Sequence, residues 1–311
     1  MRVTANTFPN SLVEQLNRLA TRQNQLQQQA ASGQRFSRPE EDPAAMRRVL
    51  EMQTEARSLG QYQRNIERHQ ELATASFSSI KGLSRIVDRA AEIVTLADGL
   101  KSREELSIYG AEINQLIKQA GDLANTTNRG DYLFAGTRND QPPFSLVTDP
   151  SGRVTQVDYA GNTDIAESEI APNTLFSSQV PGANATGAGP RGLVLDDRSG
   201  ADLFGHLIEL RDYLEAGNTS AIAASSAPQL ANDSDHLILH LGTSGVLQSR
   251  LETTASLHDQ RALSVGTLIS KEADADLAHT LVRLSQLQTA YQAALQSGGR
   301  ILSSSLLDFL R

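Results

Sequence analysis

The first and last helical stretches of this chain carry the same stripe of side chains, and that duplication limits its topology before anything else is considered. Leu12, Leu16, Leu19, Gln23, Leu26, Ala30 and Gly33 follow alternating steps of four and three, and Leu277, Leu281, Leu284, Gln288, Tyr291, Leu295 and Gly298 repeat the series. Such steps place every member on one seam of an α-helix, the a/d arrangement of a coiled coil. The apolar pattern continues through Leu302, Leu306 and Phe309, almost to Arg311. Two seams separated by most of the chain are expected to meet, with everything between them an excursion.

The first helix should run from about Ser11 to Ser32, with Ser11 available as N-cap and Gly33 as a stop. The next segment, GQRFSRPEEDP at 33–43, holds two prolines and breaks the period, so a loop of defined geometry is expected. From Pro43, with Asp42 as its N-cap, a long helix follows. Met52, Leu59, Ile66, Ala73, Ile80, Val87 and Val94 recur every seven residues, with Val49, Ala56, Gln63, Gln70, Phe77, Ser84 and Ala91 at the alternate seam position. A third helix carries Leu106, Tyr109, Ile113, Leu116, Ala120 and Leu123, and the short break from Gly99 to Ser102 makes it antiparallel to its neighbour.

After Asn128 the helical period ends. Gly, Pro, Asn and Asp punctuate short β-like runs at Tyr132–Phe134, Phe144–Val147, Arg153–Tyr159 and Arg191–Leu195. The stretch PGANATGAGP at 181–190 is too poor in apolar residues to bury and reads as an exposed loop. Helix returns at Ala201–Ala216 with Leu203, Leu207, Leu210 and Leu214 on one face, then from about Ala227 to Ser270, and again from near Glu272. The fold expected is mainly α with a β-rich insertion. N- and C-terminal regions form a long antiparallel helical bundle or coiled coil, with a small antiparallel β domain in the middle. The expected divisions are 1–42 and 271–311 for the terminal helices, 43–130 and 230–270 for the two halves of a rod, 131–200 for the β-rich part and 201–229 for a connection.

Composition removes several functions. A formal net charge of -8 argues against nucleic acid as a partner, because neutralising phosphates needs a clustered basic surface. No cysteine is present, which excludes thiolate metal sites, disulfides and a Cys nucleophile. No apolar stretch approaches the roughly 20 residues that cross a bilayer, and MRVTANTFPNSLVEQL does not read as a cleavable secretory signal.

Candidate chemistry is sparse. His236 and His240 are four apart, as two ligands on a helix would be, but the glutamate of a zinc hydrolase motif and a third ligand are missing, which leaves them as ordinary helix-surface histidines. Asp274 and Asp276, two apart, would point to different faces of a helix and suit its first turn instead. GDYLFAG at 130–136 lacks the lysine of a phosphate cradle. Asp149, Asp158, Asp164, Asp196 and Asp197 come without a nucleophile, base and orienter in recognisable spacing. Neither a cofactor nor a catalytic residue is expected.

SGQRFSRPEEDPAA at 32–45, the heptads that follow it, GDYLFAGTRNDQPPF at 130–144 and the final DADLAHTLVRLSQLQTAYQAAL with SLLDFLR resemble the ends of the bacterial flagellin family. Gly33, Arg35, Pro39, Asp42 and Pro43 carry the signature of the loop. Phe36 departs from it, standing where a β-branched aliphatic residue is common. The resemblance implies a structural subunit of the flagellum that joins hook to filament, with the bulk filament subunit as alternative and an exported adhesin or enzyme borne on such helices as a more distant one. It implies self-assembly into a ring, contact with a neighbouring hook-associated protein and flagellin, and export without a cleaved signal through the flagellar type III apparatus. A cytoplasmic chaperone would hold the C-terminal helix until then.

Energetics favour assembly as the role of the terminal stripes. Ordering some 22 backbone residues of the first helix costs about 20–40 kcal/mol. Burying Leu12, Leu16, Leu19 and Leu26 returns only about 6–12 kcal/mol. Partners from other subunits are therefore expected to complete what each chain begins, the competing expectation being a self-contained intramolecular bundle.

Overall fold

The computed structural model describes the backbone of residues 7–97 and 100–309, and the side chains of 11–97 and 100–300. Gly99 and the side chains of Leu302, Leu306 and Phe309 lie outside the described residues. The chain forms two compact units, a terminal one from residues 1–58 and 260–311 and a central one from 59–259.

Helix α1 spans Thr7–Ser32, α2 Pro43–Leu96 and α3 Arg103–Ala124. Ser102 starts α3 with a capping box, its hydroxyl accepting from Glu105 N–H at 3.2 Å while Glu105 Oε2 accepts from Ser102 N–H at 2.8 Å. In α2 the seven-residue repeat holds over the whole 54-residue helix, but its second seam position drifts. Beyond Ile66 the buried partners are His69, Ser76, Leu83 and Ala90, one residue earlier than Gln70, Phe77, Ser84 and Ala91. A straight helix of 3.6 residues per turn rotates about 20° per heptad against a 3.5 repeat, which moves the buried face by that amount.

The β-rich part consists of four small sheets. Strands β1 (Thr127–Asn128) and β2 (Asp131–Tyr132) pair antiparallel, as do β3 (Phe144–Thr148) with β4 (Val154–Tyr159), and β5 (Ser168–Ala171) with β6 (Thr174–Phe176). The last sheet joins β7 (Ala183–Asn184) parallel to β8 (Leu195–Asp196), which pairs antiparallel with β9 (Ala201–Asp202). The β5–β6 hairpin lies outside the β-like runs of the sequence, and of Arg191–Leu195 only Leu195 enters a strand. The 181–190 stretch is also no free loop: Pro181, Gly182, Ala183 and Asn184 are buried. Asn184 Nδ2 donates to the carbonyls of Ala188 and Pro190 at 2.7 and 2.6 Å, so hydrogen bonding replaces the missing apolar contacts.

Helix α4 (Leu203–Ala216) buries Leu203, Leu207, Leu210 and Leu214 as the spacing requires. A short α5 (Thr219–Ala221) and a π-turn (Ile222–Ser226) lead into α6 (Ala227–Ala273), which Gly242, Gly245 and Gly266 do not interrupt. Asp274 and Asp276 then occupy the break before α7 (Leu277–Phe309) instead of a first helical turn, Asp276 Oδ1 accepting from His279 N–H at 3.0 Å. The main core belongs to the central unit, where Ile80, Leu83, Ile113, Ile117, Phe134, Leu207 and Leu210 are wholly or almost wholly enclosed.

Histidines fasten the non-helical segments to the helices. Nε2–H of both His236 and His240 donates to the Gly192 carbonyl, at 2.8 and 3.1 Å, and His258 Nε2–H donates to Ile170 O at 2.7 Å. His69 bridges Ser178 and Ser168 at 3.1 and 2.8 Å. His236 and His240 are therefore buried ties and not surface residues, because their helix face is covered by the chain around Gly192.

Candidate assembly interface

Helices α1 and α7 pair in the terminal unit. They run antiparallel, since Gln34 bridges Asp274 at one end and a side chain on Gly298 would strike Leu12 at the other. On α1 and just beyond it, Leu12, Leu16, Leu19, Gln23, Leu26, Ala30 and Gly33 are all half-buried, as are Ala20 and Gln29. On α7 the expected stripe is not the covered one. The covered series is Thr280, Leu284, Leu287, Tyr291, Ala294 and Gly298, whereas Leu277, Leu281 and Leu295 are 46, 55 and 47% exposed and Gln288 is exposed. Leucines lie on two adjoining stripes of α7. The leucine-rich side of α1 meets the stripe that also carries small residues, since Gly298 leaves room for Leu12 and a second large side chain there would not fit.

Leu284→Asp is expected to weaken this pairing by about 2 kcal/mol, through lost apolar burial and an unpaired carboxylate. Amide exchange in α1 and α7 should rise roughly 30-fold with the core of the central unit unchanged. Equal exchange in both proteins would show that the seam contributes nothing.

The loop between α1 and α2 is fixed by Arg35. Its N–H donates to Ala273 O at 2.6 Å and its Nε–H to Glu272 O at 3.1 Å, while Nη2 reaches Asp42 Oδ2 at 3.3 Å. Gln29 Nε2 donates to Arg35 O at 2.7 Å, and Ala275 N–H donates to Gly33 O at 2.8 Å. Gly33 takes the left-handed conformation at φ 71°, which a helix ending there demands. Asp42 Oδ1 caps α2 by accepting from Ala45 N–H at 3.0 Å, with Pro43 as first helical residue. Pro39 sits exposed at the turn. Gly33, Arg35, Asp42 and Pro43 thus converge on the junction of α1, α2, α6 and α7. A polar cavity of about 320 Å³ opens beside them, lined by Gln25, Gln28, Gln29, Gln34 and Arg35 among others.

Residues 3–139 match the family described as the bacterial flagellin N-terminal helical region. Over that stretch the chain is similar to the flagellins. It is 24% identical over 300 residues to flagellar hook-associated protein 3 of Salmonella typhimurium, covering 92% of each chain. A Listeria monocytogenes flagellin is 24% identical over 300 residues, covering 95% of this chain and 93% of the flagellin. Among solved structures, flagellar hook associated protein-3 of Legionella pneumophila superposes with a TM-score of 0.59 at 13% identity, over 72% of this chain and 98% of that one. The fold is therefore of the flagellar hook-associated kind, mainly helical with small sheets in the middle.

Phe36, in the loop between α1 and α2, has a structural role. It is buried with Ala45, Val49 and Ala273, and the Arg35 guanidinium lies 5.1 Å from its ring centroid. Glu272, not singled out in the sequence, carries both Arg48, whose Nε is 2.6 Å from Oε1, and the backbone contact to Arg35. No periodic signal marks it, because its partners come from more than 200 residues away.

The acidic residues of the centre do not gather into a site. Asp149 Oδ1 accepts from Ser151 and Arg153 N–H in its own turn, Asp158 is bonded by Gln156, Asp164 by Asn162, and Asp196 by Arg198. Among the described residues no group of three His, Asp or Glu is arranged to hold a metal ion, and no helix is long and apolar enough to cross a membrane.

Proposed function

We propose that this chain is a structural subunit of the bacterial flagellum that joins hook to filament, and that it performs no catalysis. The observation that carries the reading is its likeness to flagellar hook-associated protein 3 along nearly the full length of both chains. The chain leaves its own compartment without a cleaved signal and is met by an export chaperone on α7. It then assembles into a ring between a hook-associated protein and flagellin. The exposed Leu277, Leu281 and Leu295 support this, since a solvent-facing leucine stripe beside a paired one calls for a further helix. In this reading Leu12, Leu16, Leu19, Gln23, Leu26, Leu284 and Tyr291 hold the helix pair together, while Leu277, Leu281, Gln288 and Leu295 meet other subunits.

The similarity to a Listeria flagellin favours a second reading, the bulk filament subunit. Labelling separates the two. Ala185 is exposed and the chain has no cysteine, so Ala185→Cys can carry a unique gold label. Electron microscopy should show gold in one narrow band where hook meets filament. Gold along the whole filament would identify a flagellin, and gold absent from flagella would dismiss both.

A further inference from the structure

Helix α6 carries two seams, and only one is occupied by its own chain. The inner one, Leu230, Asp233, Leu237, His240, Ser244 and Leu251, is buried. On nearly the opposite face Leu239, Gly242, Val246, Ser249, Thr253 and Ser256 also follow steps of three and four, and all are exposed. This outer seam extends about 26 Å along the helix. Its character is unlike a solvated helix face. From Ile238 to Ser249 there is no Asp, Glu, Lys or Arg, and Val246 and Leu239 are 70 and 47% exposed. A Cβ placed on Gly242 or Gly245 would meet nothing within 4 Å. Thr243 and Thr253 donate their hydroxyls back to the carbonyls of Leu239 and Ser249, both at 2.9 Å, so their polar atoms are already satisfied. Small residues and satisfied hydroxyls at seam spacing are what close approach of another helix requires.

The central unit itself offers the complementary face. On α2, Glu67, Glu71, Thr74, Ser78, Lys81 and Arg85 form an exposed series with the same steps. Thr74 likewise donates back to Gln70 O, at 2.8 Å, and an open groove lies beside Thr74, Ala75 and Ser78. Ile66 and Leu251 share one buried cluster and the rings of Tyr62 and His258 are 5.7 Å apart, so α2 and α6 run antiparallel at a known level. Counting from that level sets Asp235 opposite Lys81 in height and Arg250 opposite Glu67. Each strip is therefore uncharged in the middle, and the charges at its ends are opposite in sign to those at the same height on the other.

We propose that the outer seam of α6, centred on Gly242 and Val246, docks against the Thr74–Ser78 face of α2 in a second copy of this chain. Two copies at equal height bring Asp235 to Lys81 and Arg250 to Glu67, with the small residues between them. The contact is heterologous, each copy using a different face toward each neighbour, so it propagates into a ring or a helical array instead of stopping at a dimer. It rests on the reading of the chain as an assembly subunit, and specifies the partner faces outside the terminal helices.

The absence of native cysteine makes the contact testable by pairing. Full-length Thr74→Cys and Val246→Cys variants are each oxidised alone and as an equal mixture at assembling concentration, and the same samples are scored for attachment to isolated hooks. A reducible dimer at least tenfold more abundant in the mixture than in either variant alone is expected, and Gly242→Lys added to the second variant should abolish it without changing the melting temperature. Dimers from Val246→Cys alone would place α6 against α6 and overturn the assignment, as would equal yields in all three samples. Cross-linking without hook attachment would leave this contact standing and remove the hook reading; attachment without cross-linking would do the reverse.

Discussion

Gly192→Ala is expected to destabilise the central unit by about 3 kcal/mol, enough to lower its melting temperature by roughly 6–12 °C. A Cβ at this position would collide with the Leu195 carbonyl oxygen and the Asn184 backbone nitrogen. Both are main-chain atoms, so no rotamer change removes the clash. The surrounding backbone is held by Leu193 N–H donating to Pro181 O and Val194 N–H to Gly182 O, both at 2.9 Å, and a shift there also withdraws the carbonyl on which His236 and His240 converge. Trypsin should then cut at Arg191 and Arg198 well before the helices are attacked. A variant that melts and resists trypsin like the parent would mean that the turn accommodates a side chain.

Acid should loosen the same region. Burial, reinforced by the neighbouring His236, pushes the His240 imidazole down to about 4, against 6.5 in an unfolded chain. The Gly192 carbonyl and Asp196 oppose that shift, and Arg191 adds to it. The unfolded chain therefore binds the proton first. Stability is fully present above pH 6.5, is lost as pH falls from there toward 4, and changes no further below that from this group. The loss amounts to about 3 kcal/mol. His69 is lowered by burial and by Arg68, so it acts in the same direction. His240→Gln keeps an N–H donor for Gly192 and cannot titrate. Melting curves at pH 7 and pH 4.5 should separate the parent protein by several degrees more than this variant. Parallel declines in both would assign the acid sensitivity to other groups.

The helical regions were legible because their period is local. Leucine and isoleucine spacing places α2, α3 and α4, and Asp42–Pro43 places the start of α2. Glycine in α6 misleads, since mid-helix Gly costs only about 1 kcal/mol and tertiary contacts outweigh it. The centre is less legible because its order comes from polar ties between distant residues. Arg211, almost fully enclosed next to Leu210, donates to Asn114 Oδ1 at 3.2 Å and to the Val154 carbonyl, joining α3, α4 and β4 through a charge that composition alone assigns to the surface. Asn184 and the buried histidines act similarly. At the terminal unit the stripe on α1 is read directly, whereas on α7 two overlapping apolar stripes leave the choice to whichever spacing allows close approach. Side-chain size, and Gly298 in particular, makes that choice.

The pairing of α1 with α7 has a consequence for the order of events during synthesis. Leu12 is made well before Gly298, the glycine it faces. At the usual pace of translation the interval is on the order of tens of seconds. Throughout it, the apolar stripe of α1 has no partner within its own nascent chain. Because this pairing cannot form until Gly298 has left the ribosome, α1 stays without α7 while the central unit, made in between, can already fold.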